Sequence, residues 1–192
     1  MSDKKMIITR TALQLFISKG IHAVGINEVI KQSKVAKKTL YHHFASKDAL
    51  IVSTLHYRDQ LFMQWLEQRL LTVRKPKSAI IEVFFALDDW FNNRVAVLGD
   101  FNGCFFINAC AEYKDPVCDI NRCCKTHKAN VQDLLGKYVA QFESDENAAA
   151  LLTKQLCILK EGAITTALVQ RDLEAALKLI EVVQLLLQKR TG

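Results

Sequence analysis

The 192-residue chain is half hydrophobic and holds only 7 glycines and 2 prolines, a composition that suits long helices and argues against a turn-rich sandwich or barrel. Its formal charge of +6 is uneven: residues 1–58 carry ten Lys/Arg against three acids, while the remainder carries 16 against 17. No apolar run approaches the ~18 residues of a membrane span and nothing at the start reads as a signal peptide. A cytoplasmic protein with no membrane partner is therefore expected, and its six cysteines are expected to be free thiols.

Residues 4–18 place Ile8, Ala12, Leu15 and Phe16 on one helical stripe, and Gly20 stops the helix. A second helix begins near Gly25 or Ile26, with Val29 and Ile30 inward and Asn27 and Lys31 outward. Ser33-Lys34 forms a turn. The third helix follows in Val35-Ala-Lys-Lys-Thr-Leu-Tyr-His-His-Phe44, where Leu40 and Phe44 share one face. Their burial leaves Lys37, Lys38, Thr39, Tyr41 and His42 outside. Three short helices with a tight turn between the last two make a helix-turn-helix pattern. Ser46 caps the fourth helix, which runs to about Val73, and Lys47 sits where a helix N-terminus favours an anion.

Pro76 opens a fifth helix, about 77–97, that is apolar nearly all round and therefore central. A short sixth helix spans Cys104 to about Tyr113. Asp115-Pro116 is expected to start the seventh, which ends near Phe142. Ser144–Asn147 starts the eighth, and Asp172 caps the ninth, ending near Lys189. The last two helices carry apolar residues on more than one face. One face packs on the body and the other needs a partner, so a two-fold dimer is expected through Leu156, Ala163, Thr166, Ala167, Leu177, Ile180, Val183 and Leu187.

Ala12-Leu-Gln-Leu-Phe16, Gly20, Val29-Ile30 and Val35 through Leu50 closely resemble the signature of tetracycline-repressor-like (TetR/AcrR) transcriptional regulators. The resemblance implies an all-α fold of about nine helices: an N-terminal three-helix DNA-binding domain (1–47) and a C-terminal helical domain (48–192) for effector binding and dimerisation. It implies double-stranded DNA with a palindromic operator, a homodimer and a small-molecule effector as partners, with no cofactor and no metal. Carried over by position, the DNA contacts are Asn27, Lys37, Lys38, Thr39, Tyr41, His42 and Lys47. The effector pocket would draw on Trp65, Phe84, Asp88, Trp90, Phe91, Phe105, Asn108 and His127, although an aromatic stripe is commonly plain core. This chain departs from the family pattern at Lys34 and Lys38, where glycine is common, and at Ala36, where a capping Ser or Thr is common.

The expected mechanism is release of a repressor when an apolar or aromatic effector favours a head spacing that does not fit the operator. A variant of it senses oxidants or electrophiles through Cys123 and Cys124, whose thiols would be lowered by Arg122, Lys125 or His127. The rival from another class is a Cys/His enzyme built on Cys110 or Cys124 with His127, but no nucleophile-elbow context or Gly-rich phosphate loop is present.

Overall fold

Gly20 closes the first helix in the left-handed conformation its missing Cβ allows: φ is +88°, and its N–H returns to the Phe16 carbonyl at 3.0 Å. That helix is α1 (Asp3–Lys19) of a computed structural model that describes residues 3–188. Among these residues the chain forms nine α-helices, two short 3-10 turns and no strand. No helix among them is long and apolar enough to cross a membrane. The chain folds as two compact units. The first is the chain up to Gln60 together with Cys104–His127; the second is Leu61–Gly103 with the chain from Lys128 onward. The stretch expected as the DNA-binding head, 1–47, lies wholly in the first unit, which also takes in the start of the fourth helix and the whole of the sixth.

In the first unit α1 packs on α2 (Ile26–Ser33) and α3 (Lys37–His43). Ile8, Ala12, Leu13, Phe16, Val29, Leu40 and Phe44 are buried. Leu13 rather than the expected Leu15 completes the inner stripe of α1, since Leu15 is only half-buried. The next helix, α4 (Lys47–Leu71), starts as expected: the Ala49 N–H donates to the Ser46 hydroxyl at 3.1 Å. Its first turns bond to α1 through Thr9 and Ser53 (3.2 Å) and through Arg10 and Tyr57 (2.9 Å). The sixth helix is α6 (Phe105–Glu112), and α7 runs Asp119–Val139. The Asp115-Pro116 start expected for α7 falls three residues early. The Asp115 carboxylate accepts from the Val117 N–H (3.0 Å) and makes a turn instead, and the Asn121 amide donates to the Tyr113 and Asp115 carbonyls to hold it. An Asp-Pro pair serves a turn as well as a helix start, and the sequence does not separate the two.

In the second unit α5 (Pro76–Phe91) is central, with Ile80, Val83, Phe84, Leu87, Trp90 and Phe91 buried. It ends six residues before the expected limit. Asn92 folds its amide back onto the Asp88 carbonyl (2.9 Å), and Asn93 adopts a left-handed φ of +59°. Trp90 sits edge-on to Phe62 and Phe101, with ring centres 5.6 and 5.1 Å away. Helix α8 (Glu146–Val169) is capped by Asp145, whose carboxylate takes the Ala148 N–H at 2.7 Å. The ninth helix differs from expectation at its start. Residues 173–176 form turns and Leu177–Leu179 a 3-10 segment, so that α9 proper is Ile180–Gln188. The expected end near Lys189 lies outside the described residues.

One buried charge stands out in this unit. Lys160 on α8 is 2 % exposed and pairs with Glu161 (2.5 Å), whose other oxygen takes Lys128 of α7 (2.7 Å). Burial alone would raise the Glu161 carboxyl, but the two ammonium groups outweigh it and hold it below its ordinary value of 4.5. Its contribution to stability is therefore present above that value and lost as pH falls through the lowered one. Glu161→Gln leaves Lys160 short of a counter-charge and is expected to cost about 2 kcal/mol in urea unfolding, the partial exposure of Glu161 discounting a fully buried pair. Lys160→Met removes the buried charge and is expected to be neutral or stabilising in the same measurement.

Candidate nucleic-acid interface

Helix α3 is short because its sequence gives it little helical support of its own. Ala36 at its N-cap makes no side-chain bond, and Phe44 turns extended at its C-cap. It is held instead by burial: Leu40 is 0 % and Phe44 3 % exposed against α1 and α2. With that face fixed, Lys37, Lys38, Tyr41 and His42 are exposed and Thr39 is half-exposed. The surface so formed is cationic, with a hydroxyl, a phenol and an imidazole interleaved. Asn27, at the start of α2, is exposed as well. These six expected contact residues are thus all at least partly exposed on α2 and α3.

Lys47 is placed differently. It is half-buried, and its ammonium donates to the Ile21 carbonyl at 2.7 Å. Any phosphate contact would use the remaining protons of the same group, while one is committed to the corner between α1 and α2. The turn before α3 is reached through Lys34 at φ +55°, the left-handed region that favours glycine. Its side chain is exposed. Lys5 lies with its ammonium 5.7 Å from the Phe44 ring centre.

The corner between α1 and α2 carries a contact that the sequence did not announce. The Glu112 carboxylate, from the last residue of α6, accepts the Ile21 N–H at 2.8 Å and the His22 N–H at 2.5 Å. Its second oxygen also lies 3.3 Å from His22 Nδ1, and the His22 ring stacks on Tyr113 at 4.8 Å. Burial, with Asp48 and Glu112 nearby, pushes the Tyr113 phenol up to about 12. An acid at a helix C-terminus opposes the helix dipole. That placement was the one signal in the sequence that Glu112 has a partner elsewhere.

The residues expected in an effector pocket divide between the two units. In the first, Phe105 and His127 are buried and Asn108 half-buried. The His127 ring lies flat on Phe106 (3.6 Å, 8°), and its Nδ1 donates to the Asp59 carboxylate at 2.7 Å. In the second, Phe84, Trp90 and Phe91 are packed core, Trp65 is half-buried, and the Asp88 carboxylate is paired with Arg94.

Cys123 and Cys124 do not have the lowered thiols expected of sensors. Burial raises both, and for Cys124 the neighbouring Cys110 thiol adds to the effect. The basic neighbours named in the sequence are outweighed by desolvation. Among the described residues no group of His, Cys, Asp or Glu is arranged to hold a metal ion.

Five of the eight expected dimer residues, Leu156, Ala163, Ala167, Val183 and Leu187, are buried within the protomer. Their burial places them on the inner stripe of α8 and α9, the two helices that pack on α5, and not on the outer one. The outer surface of α8 and α9 instead shows Leu151, Ile158, Val169, Val182 and Leu185, with Ile158 70 % and Val169 71 % exposed. A cavity of about 390 Å³ opens between α8 and residues 172–179, lined by Ile158, Leu159, Gly162, Thr166 and Leu179 among others.

Residues 8–54 match the model of the bacterial regulatory proteins of the tetR family. The uncharacterized regulator YuxN of Bacillus subtilis is 40 % identical over 57 residues, which make up 30 % of this chain and only 20 % of that protein. A second B. subtilis regulator, YxaF, is 25 % identical over 189 residues, 98 % of this chain and 97 % of its own. The crystal structure of SCO4454, a TetR-family transcriptional regulator from Streptomyces coelicolor, superposes with a TM-score of 0.86 at 26 % identity, covering all of this chain and 91 % of that one. Residues 8–54, with their exposed cationic helix in a helix-turn-helix, are thus a DNA-binding region of the tetR type, and over its whole length the chain is similar to TetR-family transcriptional regulators.

Proposed function

We propose that the chain acts in the cytoplasm as a homodimeric repressor that holds a palindromic operator and is released by a small apolar or aromatic effector. The observation that supports the dimer is the set of exposed apolar side chains on α8 and α9: Leu151, Ile158 and Val169 on one, Val182 and Leu185 on the other. Large apolar side chains left exposed are costly in water and favour a like surface. A palindromic operator requires the two α3 helices of such a dimer to read successive major grooves, about 34–36 Å apart. Within each half-site Lys37 and Lys38 supply charge for the phosphates, while Tyr41, His42 and Asn27 are the side chains able to read base edges. A dimer seated on duplex DNA excludes other proteins from the same site. The effector lifts that exclusion only by binding the two head spacings unequally. What supports an effector of this class, within the first unit alone, is the aromatic pair Phe105 and Phe106 of α6, with Asn108 and His127 as polar neighbours.

Ile158→Glu places a charge on an already exposed position. It is expected to leave the protomer folded while converting dimer to monomer in sedimentation equilibrium; an unchanged dimer would move the interface elsewhere. Replacing Lys37 and Lys38 by Ala together is expected to lower the slope of log affinity against log salt for duplex DNA by about 2, measured by fluorescence anisotropy, and an unaltered slope would remove α3 from the interface. Lys34→Gly separates strain from charge at the turn. It is expected to raise unfolding stability by about 1 kcal/mol by relieving the left-handed lysine, yet to lower the same salt slope by about 1.

A further inference from the structure

The Ile21-His22 peptide is gripped from two sides. Glu112 of α6 takes both N–H groups, and Lys47 of α4 donates to the Ile21 carbonyl between them. Gly20 makes this possible. Its left-handed φ turns the following N–H groups out of the end of α1, and the position of its absent Cβ is 3.5 Å from Glu112 Oε1. Each bond joins an ionised group to a backbone dipole, the stronger class of hydrogen bond. Two N–H donors on one carboxylate, with ring contact to His22 alongside, fix direction as well as distance. The carboxylate also sits at the C-terminal end of α6, where the helix dipole opposes it. The two donated N–H bonds offset that cost.

We propose that Glu112 is a positioning residue for DNA reading: it sets the pose of the helix-turn-helix head through the α1–α2 corner. The inference rests on the head being the DNA-reading element. Glu112 touches no DNA. It narrows the orientations α2 and α3 adopt, so that Tyr41 and His42 meet base edges in one register. Charge-driven, sequence-independent binding needs no single pose and does not depend on it. Residues on α6 that shift Glu112 therefore change sequence recognition before they change electrostatic attraction.

The test compares wild type, Glu112→Gln and Glu112→Asp on two probes: a duplex enriched by the wild-type protein from a random-sequence pool, and the unselected pool itself. Glu112→Gln keeps size and removes charge, and circular dichroism melting confirms that each variant is folded at the assay temperature. The expected result is a loss of about tenfold in affinity for the enriched duplex, with pool affinity and salt slope unchanged and Glu112→Asp intermediate. A merely structural residue would move the melting temperature without moving the ratio of the two affinities. Equal affinity of Glu112→Gln and wild type for the enriched duplex overturns the proposal, as does an equal loss on both probes. If wild type enriches no duplex, the reading of the head itself fails and takes the proposal with it.

Discussion

Two backbone N–H groups leave the end of α1 at Ile21 and His22, and a carboxylate about ninety positions further along the chain receives them. A polar group turned out of a helix end must be satisfied by water, a side chain or a ligand. Here the satisfying group belongs to α6, so the DNA-binding head is built with a piece of chain that is not part of its motif. The compact unit reflects this. It holds the three helices of the head, the start of α4 and Cys104–His127 together. Lys47 completes the arrangement from α4 by taking the carbonyl of the same peptide. Opposite charges on α4 and α6 thus hold the two poles of one peptide group.

The consequence for α3 is that its burial and its orientation have separate causes. Leu40 and Phe44 hold the helix down by apolar contact with α1 and α2, which is non-directional. Direction comes from hydrogen bonds at the α1–α2 corner. The exposed face contributes charge through Lys37 and Lys38 and chemical variety through Tyr41 and His42. Lys34 adds a cation at the cost of a strained turn. In the reading proposed above, affinity, register and base reading fall to different residues, which substitution would separate.

What the sequence made legible was local. Gly20 as a stop, Ser46 as a cap and the Leu40/Phe44 pair depend on residues within four positions of one another, and each stands as read, while the periodicity of α1 holds except that Leu13 takes the inner place of Leu15. The misread helix limits, at Asp115, Asn92 and Asp172, have a common cause. Asp and Asn serve a turn and a helix cap with the same side-chain oxygen, and only the tertiary surroundings choose. The inner and outer faces of α8 and α9 were interchanged for five residues because both faces are apolar. Periodicity shows that two faces exist without showing which one meets α5. The bond of Glu112 to Ile21 was beyond any local pattern, although an acid closing a helix was a sign of something unsatisfied. Neighbouring charges in the sequence favour lowered thiols at Cys123 and Cys124, and burial, which only the fold shows, raises them instead.

The pose of the head depends on the α1–α2 corner being held, not merely folded. Amide hydrogen exchange at Ile21 and His22 in the protein without DNA measures this directly, because each N–H exchanges only when its bond to Glu112 opens. Exchange at both amides is expected to be as slow as in the buried turns of α1. Exchange at the rate of an open surface loop would contradict it.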